Sequence, residues 1–310
     1  MPANRLGPAS IAISGLAHSQ DAWQRYAWGR WAVGTNGLIR IFYINLDRRD
    51  DRREFMEGEF GRLGLPAERM AAVTPDALPP LLPGHRPRSR GLTEEELACS
   101  CSHRKAWERV LALGLPHALI MEDDVVLSAR LPAFLKALRS MPEGVEIIRL
   151  ETRLDRIRAD RVTDTIAGIE LRRPLSAQWG MAAYVITAEC ARRLLSDPRF
   201  FDVAIDHLFL DPDGPFFSSV EVRQCFPGLC IPGYYIEEMR SDQRWNSDIE
   251  PERRRRFDAA SGPALGQFGK IRREVLRIRR QMLDQIRWSA QYALRGVARH
   301  KVGYAGKAAK

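Results

Sequence analysis

Ala118-Leu119-Ile120-Met121-Glu122-Asp123-Asp124-Val125-Val126-Leu127 is an apolar run broken in its middle by three consecutive carboxylates. Flanked by Pro116 and Ser128, it predicts a buried strand. Three acids inside such a strand would be very costly if left unpaired. The strand is therefore expected to end there, with the acids at its carboxyl edge. In open α/β sheets that edge is where ligands bind. Adjacent oxygen ligands suit a hard divalent cation carrying a substrate phosphate. Taken alone, such an acidic tripeptide is more often a solvated turn after a strand.

Outward from this strand the chain alternates strand and helix periods. Leu38 to Leu46 predicts a buried strand, with Asp47 as N-cap of a charged helix from Arg48 to Leu63 that Gly64 stops. Arg69 to Val73 predicts a short strand, and the Pro, Gly and Arg-rich stretch from Thr74 to Gly91 a loop. Thr93 followed by Glu96 is a capping box, opening a helix to about Leu113. A helix from Pro132 to Ser140, a strand from Val145 to Leu150, a strand from Trp179 to Thr187 and a helix from Ala188 to Leu195 follow. This order predicts an α/β domain with a largely parallel sheet over residues 38–250. Residues 1–37 read as an extension without clear period, and residues 251–310 as a basic tail.

Charge separates the tail from the body. Residues 251–310 hold 16 Lys and Arg against 4 Asp and Glu, a net of +12, while the other 250 residues carry 32 basic and 35 acidic groups, a net of −3. The basic pI of about 9.6 therefore does not describe the body, and no basic patch with interleaved aromatics points to nucleic acid. Within 270–295, Ile271, Val275, Ile278, Met282 and Ile286 recur at helical spacing among Arg272, Arg273, Arg277, Arg279, Arg280 and Arg287, which predicts a basic amphipathic helix. Five cysteines without a CxxC pair argue against a disulfide framework and against a thiolate zinc site. A reduced cytoplasmic protein is the simpler expectation. No run approaches the roughly 18 apolar residues needed to span a bilayer. The weak apolar stretch Pro8–Ala17 is a poor signal peptide.

Four further constellations could carry chemistry. Asn45-Leu46-Asp47-Arg48-Arg49-Asp50-Asp51-Arg52-Arg53 turns a strand into a helix start, where backbone N–H groups can face an anion and Arg48 and Arg52 share one helix face. The alternative is a solvated helix whose acids and arginines pair with each other. Ser102-His103 lies within a helix, where neighbours point about 100° apart, so the pair is no nucleophile dyad. It can contribute polar contacts to a ligand, or a core Ser and a hydrogen-bonded His. Asp206-His207 sits inside an apolar stretch and needs partners in the core or a cleft. Trp179-Gly180 could offer a ring for stacking on a sugar, though Trp is more often plain core.

The order of these blocks is more specific than any one of them. Ile44-Asn45-Leu46, Arg48-Arg49, Arg52-Arg53, then Ser102-His103 with Ala106-Trp107, Leu119 to Val125, Ala183 to Ile186, and Ile205-Asp206-His207 together resemble glycosyltransferase family 25 over about Leu38 to Ile249. That family includes bacterial lipopolysaccharide-type β-galactosyltransferases and collagen galactosyltransferases. The resemblance implies a GT-A-like nucleotide-sugar-binding fold, a UDP-sugar donor, Mn²⁺ or Mg²⁺, and inversion at the anomeric carbon. It further implies Asp124, Asp123 and, less directly, His207 as metal ligands, with Glu122 toward the ribose or a metal-bound water. Asn45, Arg48, Arg52, Ser102 and His103 would serve the donor pocket, Trp179 the sugar, and Asp206 the general base. Where many relatives carry Gly-Cys before the Ser-His pair, this chain has Ala98-Cys99.

The acceptor implied is a glycan or lipid-linked glycan, and the basic helix of residues 270–295 is expected at the anionic inner face of a membrane. A tail helix docked on the body or self-associated is the alternative. Two other functions could use the same residues: a metal-dependent phosphoesterase or nucleotidyltransferase, and an inactive nucleotide-sugar-binding relative. The first normally needs more converging acids or histidines, and the intact Glu122, Asp124 and Asp206 argue against the second.

Overall fold

The computed structural model describes residues 39–78, 92–201, 203–246, 249 and 297–306. The residues 270–295 expected to form the basic amphipathic helix, and the whole of the 1–37 extension, lie outside these.

The first buried run becomes β1 (Arg40–Asn45) and the acid-bearing run becomes β3 (His117–Glu122), which lie parallel with Ile44 opposite Glu122. β2 (Ala67–Ala71) pairs parallel with β1 on its other side. β8 (Ala183–Thr187) runs antiparallel to both β3 and β5 (Ile147–Arg149). β9 (Val222–Phe226) is parallel to β5. The hairpin of β6 (Arg156–Ile166) and β7 (Ile169–Pro174) joins antiparallel to β9. The sheet order is β11-β6-β7-β9-β5-β8-β3-β1-β2, closed at one edge by β11 (Ala298–Lys301). The expected parallel pairing holds for β2-β1-β3 and β5-β9, and the remaining joints are antiparallel. Residues 297–306, read in sequence as part of the basic tail, belong to this sheet domain.

Side chains of β1 and β3 alternate between two cores, as the period of a strand requires. Ile41, Tyr43, Leu119 and Met121 face one core, where they meet Met56 and Phe60 of α1 (Asp50–Leu63) and Phe134 of α3 (Leu131–Ala137). Phe42, Ile44, Ala118 and Ile120 face the other. There they meet Trp107 and Val110 of α2 (Glu94–Ala112), Leu194 of α4 (Ala188–Ser196) and Leu208 of α5 (Ile205–Leu210). Strands covered on both faces read as continuous apolar runs, which made β1, β3 and β8 legible. The hairpin β6–β7 escaped, because Arg156–Ile166 alternates with exposed polar residues at the sheet margin. Its turn at Ala167 (φ 49°) and Gly168 (φ 74°) has the left-handed backbone typical of a tight hairpin.

Helix α2 starts where expected, with the Thr93 and Glu96 side chains each bonded to the other's backbone N–H. Helix α1 starts later than expected. Arg49 occupies its N-cap without a side-chain bond, and Asp47 instead accepts from Arg69 Nη2 at 2.6 Å. Among the described residues no helix is long and apolar enough to cross a membrane.

After Glu122 the chain turns through Asp123-Asp124 and enters β4 (Val125–Leu127), which pairs with β10 (Cys230–Pro232) in a separate small sheet. Gly233 N donates to the Asp124 carbonyl at 2.8 Å, which pins the turn. The buried Trp245 ring meets Phe55 of α1 edge-on at 4.7 Å. A Cβ on Gly233 would lie 2.4 Å from that ring. Gly233→Ala should therefore cost about 1–3 kcal/mol through forced repacking. Gly58→Ala, in α1 with open space at the Cβ, should gain about 0.5–1 kcal/mol. Urea unfolding of the two variants reads both, and equal signs would contradict the packing described.

Candidate active site

Three strand ends meet where the acidic turn emerges. Glu122 N donates to the Ala182 carbonyl at 2.8 Å, and the N–H groups of Leu150 and Glu151 donate to the Ala183 carbonyl at 2.9 and 3.3 Å. The carboxyl ends of β3 and β5 thus flank the entrance to β8. Glu122 and Glu151 are placed on either side of it.

The three acids of the turn have separate fates. Asp123 is buried and neutralised: its Oδ2 accepts from Asn45 Nδ2 at 2.7 Å and its Oδ1 from Arg52 Nη1 at 2.9 Å. Arg52, 5% exposed, also donates from Nε to the Arg244 carbonyl and from Nη2 to the Asn246 carbonyl. Asn45 further accepts from Arg69 Nε at 2.7 Å. Asn45, Arg52 and Asp123 therefore brace the turn from beneath. Asp124 is different, because its Oδ1 is buried with no hydrogen-bond partner. Glu122 keeps 32% of its side chain exposed and meets His103 Nε2 at 3.3 Å.

His103 is the end of a buried chain. Trp107 Nε1 donates to Tyr184 Oη at 2.9 Å, and Tyr184 Oη lies 2.9 Å from His103 Nδ1. The assignment that satisfies every group has Tyr184 donating to Nδ1, so the imidazole carries its proton on Nε2 and donates to Glu122 Oε1. Burial holds His103 down at about 4, so it is neutral at ordinary pH. Ser102, expected in the same pocket, is instead a staple. Its Oγ donates to the Ala98 carbonyl and accepts from Val73 N, both at 2.8 Å, and the residue is only 3% exposed.

On the far side, Asp206 sits in the first turn of α5, 8% exposed, with Oδ2 accepting from Gly180 N and Oδ1 from His207 N, both at 3.0 Å. Its charge acts on Glu122, His103 and Cys99. The His207 ring packs edge-on against Trp179 at 4.4 Å, and its Nδ1 lies 3.3 Å from Asp211 Oδ2. Trp179 is 41% exposed, as a stacking surface requires. Arg48 lies exposed in the turn after β1.

Sequence reasoning missed Arg149 and Glu151. Arg149 is 3% exposed and holds the loop before β8 by donating to Gln178 Oε1, the Trp179 carbonyl and the Gly180 carbonyl. Glu151, 1% exposed, lies 3.3 Å from Arg149 Nη2 and accepts from Ala182 N at 2.8 Å. Gly180 has φ +88°, and a Cβ there would lie 2.4 Å from Glu151 Oε1. Only glycine fits. The missed signal was an acid just past a predicted strand, the same cue that exposed Glu122.

Asp123, Asp124 and His207 do not converge as three metal ligands in this structure. Among the described residues the three-ligand cluster is Cys99, His103 and Glu122. Burial raises the Cys99 thiol well above its usual range, so this set offers no ready thiolate. The carboxylates fit a hard cation better. Burial, together with the neighbouring acids, pushes Glu122 and Asp124 each up to about 8. An unpartnered buried oxygen beside a self-repelling acid pair is a place for a cation, and such ions are commonly held by one or two carboxylates plus substrate phosphates.

An acidic strand edge on a sheet covered by helices on both faces defines an α/β domain with a ligand site at its carboxyl rim. The family model for glycosyltransferase family 25 (LPS biosynthesis protein) matches residues 38–209. The chain is 30% identical over 272 residues to the lacto-N-neotetraose biosynthesis glycosyltransferase LgtE of Neisseria meningitidis serogroup B, covering 77% of this chain and 93% of that protein. It is 28% identical over 225 residues to the lipooligosaccharide biosynthesis protein lic2B of Haemophilus influenzae, covering 69% and 83%. It is also 25% identical over 270 residues to procollagen galactosyltransferase 1-B of Xenopus laevis, covering 76% and 43%. The chain belongs to glycosyltransferase family 25.

The acid pair sets a pH dependence. Raised folded-state values mean that the folded protein holds protons which the unfolded chain releases. Stability from Glu122 and Asp124 is full below their ordinary values of 4.5 and 3.8, and is lost as pH rises through about 8. His103 acts oppositely, losing stability as pH falls from 6.5 toward about 4. Between about pH 6.5 and 8 the carboxylates act without it. The Tm of the metal-free protein should fall across that window, Asp124→Asn should flatten the fall, and Mn²⁺ should reverse it. A Tm independent of pH and of Mn²⁺ there would contradict the site as described.

Proposed function

We propose that this glycosyltransferase moves a hexose, galactose by preference, from a UDP-sugar to a hydroxyl of a lipopolysaccharide-type glycan, with inversion, on a GT-A-like fold. The single observation that carries this reading is the unpartnered Asp124 Oδ1 beside Glu122, with the Asp206 charge acting across the same space. The relatives named for lacto-N-neotetraose, lipooligosaccharide and procollagen chemistry support the donor and acceptor classes.

In this reading Asp124, with Glu122 beside it, would hold Mn²⁺ or Mg²⁺, which when bound would supply positive charge for the donor diphosphate. Arg48 would serve the donor side of the turn. Glu122, kept in one orientation by the neutral His103, would reach toward the ribose. Trp179 stacks on a sugar face. Asp206, aimed by the Gly180 and His207 N–H groups, takes the proton of the acceptor hydroxyl. That oxygen forms the new bond at the anomeric carbon, the bond to the diphosphate oxygen breaks, and UDP leaves on the opposite face. His207 packs beside Trp179, so a ligand role for it requires movement of its ring.

Release of UDP from a panel of UDP-sugars, with Mn²⁺ and with chelator, tests the donor. Slow cation-dependent hydrolysis of UDP-galactose above the other sugars is expected. Asp124→Ala should lose cation-dependent UDP binding. Asp206→Asn should keep that binding and lose transfer by about 10²–10⁴-fold, the usual worth of a positioned base. Full transfer in Asp206→Asn would remove Asp206 from the mechanism.

Residues 270–295 are proposed to hold the enzyme at an anionic membrane surface, on the inner face. Truncating the tail is a poor test, because it also removes the edge strand β11. Replacing Arg272, Arg273, Arg277, Arg279, Arg280 and Arg287 with Gln keeps that strand. The substitution should abolish sedimentation with phosphatidylserine vesicles at low salt, where each arginine contributes about 1 kcal/mol. Undiminished sedimentation would reject the membrane role.

A further inference from the structure

Beside Trp179, away from the acidic turn, the structure contains a cavity of about 370 Å³ walled by β6, β11 and the loop before β8. That volume falls within the roughly 300–1,000 Å³ of small-molecule sites. We propose that this cavity binds a sugar bearing an anionic substituent, phosphate or carboxylate, and that it is the subsite for the acceptor. The acceptor assignment rests on the transferase reading above; the binding of an anionic sugar does not.

Charge is the first argument. Arg149 at the back of the cavity is balanced by Glu151. Arg153, Arg156 and Arg299 also line it, against the single carboxylate of Asp155. Among the described residues none of these three arginines takes part in an ion pair. The lining therefore carries uncompensated positive charge.

Unmet hydrogen bonds are the second. Gln178 is 5% exposed, and its Oε1 is held by Arg149 at 2.9 Å, yet its Nε2 is buried with no partner. Arg153 stacks over the Tyr235 ring at 4.8 Å, and its Nε is likewise buried with no partner. Both orphan groups on this wall are N–H donors. A buried donor without an acceptor costs about 1–3 kcal/mol. The group that satisfies two donors amid arginines accepts hydrogen bonds and carries negative charge, as a phosphate or carboxylate does.

Position is the third. Trp179 is shared between this cavity and the catalytic side, where its ring meets His207. The next residue, Gly180, donates its N–H to Asp206. A sugar stacked on Trp179 with its anionic group among the arginines lies on the Asp206 side of the site, where the acceptor hydroxyl is deprotonated, rather than at the cation end. The far wall comes from the chain's return: Thr152 Oγ1 donates to the Val302 carbonyl at 2.6 Å, which fixes β11 and its Arg299.

Calorimetric titration of the full chain with UDP and Mn²⁺, and then, with and without them, with glucose 6-phosphate, glucuronate, inorganic phosphate and glucose as probes, tests this. At least one charged sugar should bind, and tighter than glucose or phosphate alone. Phosphate-only or carboxylate-only preference names the substituent, and either supports the proposal. Arg156→Gln and Arg299→Gln should each weaken the charged sugar roughly tenfold, with partial recovery in Arg156→Lys. Thermal melts confirm that each variant is folded. Equal binding of glucose, or unchanged affinity in the folded double variant, overturns the proposal. If the charged sugar binds as expected while UDP does not bind at all, the transferase reading fails and the anionic-sugar site stands. If UDP binds and no charged sugar does, this inference alone fails.

Discussion

The buried pairing of Arg52 with Asp123 is the constraint on which the site depends. Both side chains are nearly dry, at 6% and 9% exposure, and 2.9 Å apart. Burying two charges is costly, and attraction repays it only when the remaining hydrogen-bonding capacity is also met. Here it is met. Asn45 takes the second oxygen of Asp123, and the carbonyls of Arg244 and Asn246 take two further donors of Arg52. One guanidinium thereby joins helix α1, the acidic turn and the 244–246 segment, while Asn45 adds the end of β1. Because Asp123 absorbs that charge, the turn is held rigidly with its other two acids left for a ligand.

This arrangement keeps the site electronegative by design of placement rather than by surface charge. Glu151, Asp123 and Asp206 all contribute to the field felt by Glu122, and Arg52 is the counter-charge acting on it. Arg149 is spent on Glu151 and on the loop before β8. The neutral His103 adds orientation without adding a cation. A divalent ion of the kind proposed above would supply the positive charge that this cluster of acids lacks.

The parts of this architecture that sequence located most sharply are strands buried on both faces and the one helix opened by a capping box. β1, β3 and β8 are continuous apolar runs, and Thr93 with Glu96 marks the start of α2 within a residue. Strands β6 and β7 and the edge strand β11 were illegible because each mixes charged residues with apolar ones. At the site, the motif pattern identified which residues matter but not what each does. Asn45, Arg52, Ser102 and Asp123 were read as ligand-facing, and all four are engaged by protein atoms. A linear sequence shows polar residues near a strand end, and it does not show which lone pairs are already filled. Glu151 and Arg149 escaped for a related reason, since their partners Ala182, Gln178 and Gly180 are about 30 residues away and meet them only through the β5–β8 pairing.

The family match ends at residue 209, yet the structure of the site does not. Arg52 is anchored by residues 244 and 246, Arg149 by Gln224, and the acidic turn by Gly233. The cavity beside Trp179 takes one wall from β11 near the end of the chain. The segment matched by the family supplies Glu122, Asp124 and Asp206, the groups suited to a donor and a proton. The segments beyond it supply bracing and one face of the second cavity. Such a division lets the reacting groups stay fixed while later parts of the chain reshape what lies against Trp179. On the acceptor reading proposed above, selectivity for the receiving glycan would lie with Arg156 of β6 and Arg299 of β11 rather than with the acidic turn.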